Sequence, residues 1–256
     1  MTDPWVCLAD ELEVWRQWGR TPTLWWRDDD AQQQTPALEQ LCQLSRRFGV
    51  PLSLAVIPAG AEASLLPLFA QTPELTALQH GYQHINHARA DQRKCELGDN
   101  RPLAEILAEL QRGRDQLRQL LGERFVAVLV PPWNRLSSGL NSQLATIGCT
   151  GLSALGPREQ PCQDGLRINN VHVDLINWRQ GGCFAGEPVV LAQLIKHLRQ
   201  RRLGEVDSGE ASGLMTHHLA HDAACWQFCQ RLFDFMADQP VRWLSARQCF
   251  DPADSG

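Results

Sequence analysis

Three consecutive carboxylates, Asp28, Asp29 and Asp30, directly follow the apolar residues 24–26 and one arginine. The apolar run is typical of a buried strand, which would deliver the three acids together to one strand end. Like charges this close raise one another's pKa and destabilise a fold unless a cation, hydrogen bonds or water compensate them. The triplet therefore indicates a cation site, although an acidic loop before a helix N-cap explains it equally well when taken alone.

Three histidines, His80, His84 and His87, lie within eight residues after a second apolar run at 75–79. Their spacings of four and three allow several imidazoles to reach one metal ion from a turn or a helix start. A single histidine here would be explained as a structural residue. Three together at a strand end favour a metal site.

Two more polar clusters follow apolar runs. Residues 130–135 read Val-Pro-Pro-Trp-Asn-Arg, where two prolines end a strand and fix the backbone N–H groups that follow, although an ordinary rigid turn would look the same. His217 and His218 follow residues 214–216, where a histidine serves as an acid or base or is a satisfied core residue. Because catalytic groups of barrels gather at the carboxyl ends of the strands, the clusters predict one functional site.

The elements that must position these clusters alternate between short apolar strands and helical patterns. We predict strands at residues 23–27, 52–57, 75–79, 125–130, 151–155, 171–176, 213–216 and 241–244. We predict helices near residues 36–48, 102–121, 138–147, 189–201 and 222–237. This alternation indicates an α/β fold with a mostly parallel sheet, open or closed into a barrel. No linker interrupts the pattern, so we expect one domain at 21–256, with an N-terminal helix in 1–20 packed on it.

The composition of the 256 residues is that of an ordinary globular protein, with 43% hydrophobic and 21% charged residues. A net charge of -5 argues against a nucleic-acid partner. No run is long and apolar enough to span a membrane, and the first ten residues do not have the pattern of a secretory signal. The composition leaves the oligomeric state open.

The nine cysteines are an odd number and include no C-x-x-C spacing, which indicates reduced thiols and predicts a cytoplasmic protein. Cys225 and Cys229 lie four residues apart on a predicted helix. Core packing explains this pair better than metal binding does.

Taken in order, the clusters resemble the motifs of the polysaccharide deacetylase family, also called carbohydrate esterase family 4. The resemblance covers residues 21–222 and would make the chain a divergent, cytoplasmic member. Its motifs T-F-D-D-G, H-[ST]-x-x-H, R-x-P-x-G, D-x-x-x-W and L-x-H are similar to residues 26–30, 80–84, 130–134, 174–178 and 214–217. The resemblance implies a distorted (β/α) barrel of about seven strands.

The resemblance also implies a metal-dependent deacetylase, a hydrolase of carbon–nitrogen bonds other than peptide bonds. Asp28 would be the general base and His217 the general acid. Asp29, His80 and His84 would hold a divalent metal, usually Zn²⁺ and sometimes Co²⁺ or another ion, whose bound water attacks the acetyl carbon.

The same resemblance assigns the substrate contacts, and a backbone N–H near Trp133 would stabilise the oxyanion. The substrate-binding residues would be Pro132, Trp133, Asp174 and Trp178. Alternates for all these roles are Asp30, His87, Arg135 and His218.

The sequence departs from the family pattern at three positions. Asp30 replaces a glycine, Gly81 replaces a serine or threonine, and Val130 replaces the arginine that pairs with the base. Another cation would then have to keep the base ionised, and the candidates are Arg27, Arg135 and Arg179.

We expect removal of an N-acetyl or O-acetyl group from a carbohydrate or glycoconjugate. One alternative is hydrolysis of a non-sugar linear or cyclic amide on the same fold. The other is a catalytically inactive sugar-binding relative, which the changes at Gly81 and Val130 motivate.

Overall fold

The structure is a computed structural model that describes residues 2–251. The strands are β1 (Thr23–Ala31), β2 (Leu52–Val56), β3 (Leu75–His80), β4 (Phe125–Val130), β5 (Gly151–Leu152), β6 (Cys162–Gln163), β7 (Leu166–Ile168), β8 (Val173–Asp174), β9 (Ile176–Asn177), β10 (Cys183–Phe184), β11 (Ser212–Thr216) and β12 (Arg242–Leu244). The α-helices are α1 (Pro4–Gln17), α2 (Pro36–Phe48), α3 (Leu66–Gln71), α4 (Leu103–Leu121), α5 (Ser138–Leu144), α6 (Glu187–Leu203), α7 (Ala223–Ala237) and α8 (Ala246–Phe250).

Ten strands form one curled sheet in the order β6-β7-β5-β4-β3-β2-β1-β11-β8, with β12 paired beside β1. All of its neighbours are parallel except β6 and β7. A backbone bridge between Leu155 and Val171 draws together the segments that follow β5 and precede β8. The sheet is therefore an incomplete barrel, with β9 and β10 as a separate antiparallel pair.

The two faces of the sheet bury different side chains. Trp25 lies on the inner face with Leu78, Val128 and Met215, whereas Trp26 packs outward in the larger core between sheet and helices. Their indole N–H groups have different acceptors, since Trp25 donates to the carbonyl of Asn170 and Trp26 to the Thr216 hydroxyl, both at 2.9 Å. Alternation along a strand explains the division.

Local sequence sets the helix ends. Thr35 accepts a hydrogen bond from the Leu38 N–H at 3.1 Å before α2, and Gly49 ends that helix in the left-handed conformation. At the chain start, α1 packs against α6, where Glu11 and Arg202 form an ion pair at 2.8 Å.

The predicted α/β barrel fold is confirmed, and each predicted strand overlaps an observed one. The count of about seven strands that the resemblance implied was too low, because β6 and β7, of two and three residues, lack a run of apolar residues that would identify them. The first strand continues to Ala31, so the acidic triplet lies within β1 and not beyond it.

The nine cysteines, all within the described part of the chain, are free thiols. Between residues 2 and 251, no helix combines the length and the apolar character that crossing a bilayer requires.

Candidate functional site

A cleft of about 300 Å³ opens at the carboxyl ends of the parallel strands. β1 contributes Asp29 and Asp30, β3 and its following loop contribute His80 and His84, and His217 follows β11. The structure therefore brings together side chains from three of the polar clusters that the sequence singles out.

A β-bulge decides which acids face the cleft. Between Asp28 and Ala31, β1 advances three residues while its partner β2 advances two, from Leu54 to Val56. An extra residue of this kind re-aims the side chains around it. As a result Asp29 and Asp30 both line the cleft, while Asp28 does not.

Asp28 is fully buried on the outer side of β1. Its carboxylate accepts hydrogen bonds from the Thr216 hydroxyl at 2.7 Å, the His218 N–H at 3.0 Å and the His218 ring Nδ1 at 2.5 Å. Burial alone would raise the pKa of Asp28, but the charge and hydrogen bond of His218 hold it below its usual value. Burial would likewise lower the pKa of His218, and the Asp28 charge raises it above its usual value. Asp28 and His218 thus form a closed ion pair away from the cleft.

Asp29 is paired with Arg27, its neighbour two residues back on the same face of β1. The Arg27 Nε lies 2.8 Å from one carboxylate oxygen as an ion pair without hydrogen-bond alignment, and Nη2 donates to the other at 3.0 Å. Arg27 is itself buried and donates to the Ser153 hydroxyl and the Asn134 side-chain oxygen, both at 2.8 Å. The guanidinium therefore holds Asp29 in one orientation.

Asp30 forms the acidic corner of a candidate metal centre. Its Oδ1 lies 3.2 Å from His80 Nε2 and 3.3 Å from His84 Nε2, and the three ligand atoms lie within 4.8 Å of one another. The backbone of Asp30 is in the left-handed region at φ 74°, a conformation that a non-glycine residue adopts at a cost. This conformation explains why the resembled motif has glycine here, and aspartate is among the few other residues that tolerate it.

The ring of His80 is oriented as a metal ligand requires. Its Nδ1 donates to the Val130 carbonyl at 3.0 Å, which leaves Nε2 directed at Asp30. Burial lowers the pKa of His80, but the hydrogen bond and charge of Asp30 raise it above its usual value overall. Burial alone would raise the pKa of Asp30, but the hydrogen bond and charge of His80 have the larger effect and hold that pKa well below its usual range. Asp30 therefore stays ionised and places a negative charge at this point.

His84 completes the candidate metal centre from the loop after β3. Burial and then the charge of His80 lower the pKa of His84, which favours the neutral imidazole that binds metal. The residue has a left-handed φ of 59°, and its ring packs 4.4 Å from that of Trp133.

The loop carrying His84 is held by Glu96, which the sequence analysis missed. Its carboxylate accepts hydrogen bonds from the backbone N–H groups of Tyr82 at 3.3 Å, Gln83 at 2.7 Å and His84 at 3.2 Å. A Cβ on Gly81 would lie 2.0 Å from a Glu96 oxygen, so glycine is required there. Glu96 lies in a long loop whose pattern contains no signal of this role.

The proline-containing segment after β4 borders the cleft with Trp133, Asn134 and Arg135. Trp133 and Asn134 both have left-handed φ angles, 56° and 54°. Pro132 is buried beside Gly81 and does not line the cleft. Of the five non-glycine residues with positive φ in residues 2–251, four line the cleft, and strained backbone of this kind clusters at functional sites.

His217 lies beside Asp29 in the cleft, on the neighbouring strand end, with its Nε2 3.9 Å from the carboxylate. The Trp178 ring stands edge-on to His217 at 4.7 Å, and its indole N–H donates to Asp174 at 3.0 Å. Burial raises the pKa of Asp174. Asp174 therefore orients Trp178, and Trp178 packs against His217.

The acid that lies beside His80 and His84 is one residue later in the sequence than predicted. The sequence analysis placed the base at Asp28 and a metal ligand at Asp29, yet Asp28 is enclosed with His218 and Asp30 is the acid beside His80 and His84. Strand alternation and the bulge after Asp28 are the physical reasons. Among the alternates, Asp30 and Arg135 line the cleft, whereas His87 and His218 do not.

No protein-family model and no curated protein matches this chain. Its fold is similar to that of a family 4 carbohydrate esterase from Streptomyces lividans, with a TM-score of 0.55, 15% identity and coverage of 87% of this chain and 91% of that one. The peptidoglycan deacetylase PdaC from Bacillus subtilis has a TM-score of 0.56, 11% identity and coverage of 90% and 89%.

A chitin deacetylase from Colletotrichum lindemuthianum has a TM-score of 0.56, 12% identity and coverage of 91% of both chains. Each likeness spans most of both chains, whereas the identities are too low to carry residue roles. The chain therefore has the fold of the carbohydrate esterase family 4 deacetylases.

Proposed function

We propose that this protein is a divergent polysaccharide deacetylase, a metal-dependent hydrolase that removes an acetyl group from an N-acetylated or O-acetylated carbohydrate. One observation carries the proposal. In a single cleft, an Asp-His-His cluster lies beside the Asp29 carboxylate, which is paired with Arg27 and has His217 next to it. The similar structures are named as esterases and deacetylases, which supports the same reaction class.

The donor set of Asp30, His80 and His84 fits a divalent metal. The Asp30 Oδ1 is buried, and both histidines turn Nε2 toward it, at 3.2 and 3.3 Å. One carboxylate and two imidazoles suit Zn²⁺ and leave coordination positions open, as a catalytic site needs. A bound divalent ion would polarise the acetyl carbonyl and lower the pKa of water.

Asp29 is the proposed general base. It lines the cleft next to Asp30, and Arg27 fixes its orientation from within the barrel. A carboxylate in this place can take the proton of an attacking water. Arg27 then supplies the positive charge beside the base, which the resembled family motif places at residue 130.

His217 is the proposed general acid. Its Nε2 lies in the cleft 3.9 Å from the Asp29 carboxylate, so a scissile bond bound beside the two groups would be within reach of both a proton acceptor and a proton donor. Trp178 and Asp174 restrict the ring of His217. The backbone N–H of Trp133, a residue that lines the cleft, is the proposed oxyanion donor.

The mouth of the cleft suits a sugar. Trp178 and Leu155 are 52% and 51% exposed and Trp133 lines the same opening. Exposed aromatic faces provide stacking surfaces for the apolar face of a sugar ring. The free cysteine thiols suit a reducing compartment, so we propose action on an intracellular glycoconjugate precursor.

The test is acetate release from N-acetylated sugars by chelated protein reloaded with Zn²⁺ or Co²⁺. We expect no turnover after chelation and recovery after reloading. If the protein opens a cyclic imide and releases no acetate, we would conclude that its substrate is a non-sugar amide. Sugar binding without turnover in the metal-loaded protein would instead make it an inactive relative, although Arg27 and Glu96 weaken the two sequence arguments for that alternative.

A further inference from the structure

A second cluster of metal-ligating side chains lies outside the cleft, on the helix-covered side of the sheet. It consists of His221, Cys225 and Cys229, whose ligand atoms all lie within 4.8 Å of one another. Both cysteines are buried and His221 is half-buried. The cluster shares no residue with the proposed catalytic centre.

Helix geometry brings the two thiols together. Cys225 is the third residue of α7 and Cys229 follows one turn later on the same face, since side chains four apart are neighbours. Asp222 caps the helix by accepting from the Cys225 N–H at 2.8 Å, and its other oxygen accepts from the Phe184 N–H at 3.2 Å. The helix start is thus anchored, and its dipole favours a thiolate at Cys225.

His221 contributes the observation that points most directly to a ligand. Both of its ring nitrogens are buried, and neither has a hydrogen-bond partner. Trp226 holds the ring edge-on at 4.4 Å. Burying a polar nitrogen without a partner is costly, and coordination to a metal would remove that cost.

We propose that His221, Cys225 and Cys229 bind a second metal ion, with Zn²⁺ as the ion that best suits two thiolates and one imidazole. Zn²⁺ prefers tetrahedral sulfur and nitrogen ligands, and three protein ligands leave one position for a small exogenous ligand. The sequence analysis favoured core packing for the cysteine pair. It could not show that a buried histidine without a hydrogen-bond partner would join them.

A third group, His172, His197 and Glu210, has similar spacing but does not support the same inference. The rings of His172 and His197 stack at 3.4 Å, and their Nδ1 atoms are engaged by the Gly213 N–H and the Ser212 hydroxyl, both at 2.9 Å. Arg201 donates to that same hydroxyl at 2.9 Å. A permanent positive charge at this distance opposes the binding of a cation.

The proposed ion would brace a segment that carries catalytic side chains. His221 ends the turn that begins after His217, and the Ala220 N–H donates to the His217 carbonyl at 2.8 Å. A bond from His221 to an ion held by α7 would tie this turn to the helix. The ion would therefore stabilise the position of this turn.

The test is a Co²⁺ titration of the chelated, reduced full-length protein, followed by absorption spectroscopy. Thiolate ligands give Co²⁺ an intense near-ultraviolet charge-transfer band, which a carboxylate-imidazole centre does not give. We expect this band in the wild type and in His80→Ala, and its loss in the double variant Cys225→Ser/Cys229→Ser. Cys149→Ser, a buried thiol outside any ligating group, is the matched control and should retain the band.

No charge-transfer band in the wild type, or an unchanged band in the double variant, would overturn the proposal. If the double variant does not fold, thiol alkylation of the wild type decides instead. Zn²⁺ should slow the modification of Cys225 and Cys229 at least about tenfold. Equal rates with and without Zn²⁺ would refute the site. Neither readout depends on turnover, so a failure of the proposed deacetylase activity leaves this test intact.

Discussion

The guanidinium of Arg27 and the carboxylate of Asp29 lie 2.8 Å apart on one face of a single strand, inside the barrel. Alternation along the strand places residues two apart side by side, so β1 supplies both the proposed base and its counter-charge. The family motif that residues 130–134 resemble has this arginine after β4, at the position of Val130. The same electrostatic requirement is met here from a different strand.

Asparagine substitutions at the three adjacent acids should give three different defects. Asp29→Asn removes the proposed base, so turnover should fall by about 10²–10⁴-fold while metal content is retained. Asp30→Asn removes a charged ligand and should lower metal affinity together with turnover. Acetate release and metal content per chain, measured on the same preparations, separate these two outcomes.

Asp28→Asn is the matched control in that series and should affect stability first. Its carboxylate accepts three hydrogen bonds, and bonds to a charged group contribute about 1.5–3 kcal/mol each. We expect a lower free energy of unfolding in urea, with metal binding retained. If Asp28→Asn abolishes turnover in a fully folded, metal-loaded protein while Asp29→Asn remains active, the assignment of the base is refuted.

Arg27→Lys should impair the enzyme even though it conserves charge. An ammonium group cannot hold Asp29 while also donating to Ser153 and Asn134, as the planar guanidinium does. We expect a lower kcat and a lower Tm. Arg179→Lys, at an exposed position, should change neither quantity. Equal effects of the two substitutions would show that the buried contacts do not matter.

Gly81→Ser would restore the family residue and should weaken metal binding. The new Cβ would meet a Glu96 oxygen at 2.0 Å and Pro132 at 2.6 Å, so the loop carrying His84 would have to move. Gly49→Ser is the control, because that glycine also has a positive φ, 63°, but has no atom within 4 Å of the new Cβ. Calorimetric titration with Zn²⁺ should show lower affinity for Gly81→Ser alone. Wild-type affinity in Gly81→Ser would contradict the role given to Glu96.

The buried histidine pair should make the fold sensitive to mild acid. Burial and the charges of His172 and Arg201 lower the pKa of His197 to about 2, and burial also lowers that of His172. In the unfolded chain these groups titrate near pH 6.5, so below that value the unfolded state binds protons that the folded state cannot. The contribution of this pair to stability should therefore be fully present above about pH 6.5 and fall as the pH drops, by roughly 1 kcal/mol per pH unit for each histidine.

His197→Asn tests this origin of the acid sensitivity. Urea unfolding between pH 5 and pH 8 should show a shallower loss of stability below pH 6.5 than in the wild type. Above pH 6.5 the two curves should run parallel, even if the variant is less stable throughout. An unchanged slope below pH 6.5 would assign the acid sensitivity to other groups.

The fold could be predicted well because its signals are local. Apolar runs such as residues 125–130 and the leucine face of α4 reflect burial that any parallel sheet with outer helices requires. The two-residue and three-residue strands beyond β5 carry too few side chains for such a pattern. Their pairing depends on tertiary contacts.

The site could be predicted only in part. The polar clusters and their convergence at strand ends follow from strand direction, and His80, His84, His217 and Trp133, to which the sequence analysis assigned roles, all line the cleft. The roles within the acidic triplet could not be read, because they depend on a bulge that involves the pairing of β1 with β2. Glu96 was missed for a similar reason, since its role is defined by three backbone N–H groups and not by its neighbours in sequence.

The two adjacent tryptophans of β1 have a consequence for the chemistry that follows them. Because β1 carries three identical acids in a row, a carboxylate would occupy the same place in any of three alignments of the strand. The acids alone therefore do not fix the alignment. Trp25 and Trp26 do, because each indole has a different acceptor on a different face of the sheet. A slip of β1 by one residue would exchange these faces and leave both indoles without their partners. The tryptophans therefore fix the alignment of β1, which together with the bulge after Asp28 sets which acids face the cleft and which acid pairs with His218.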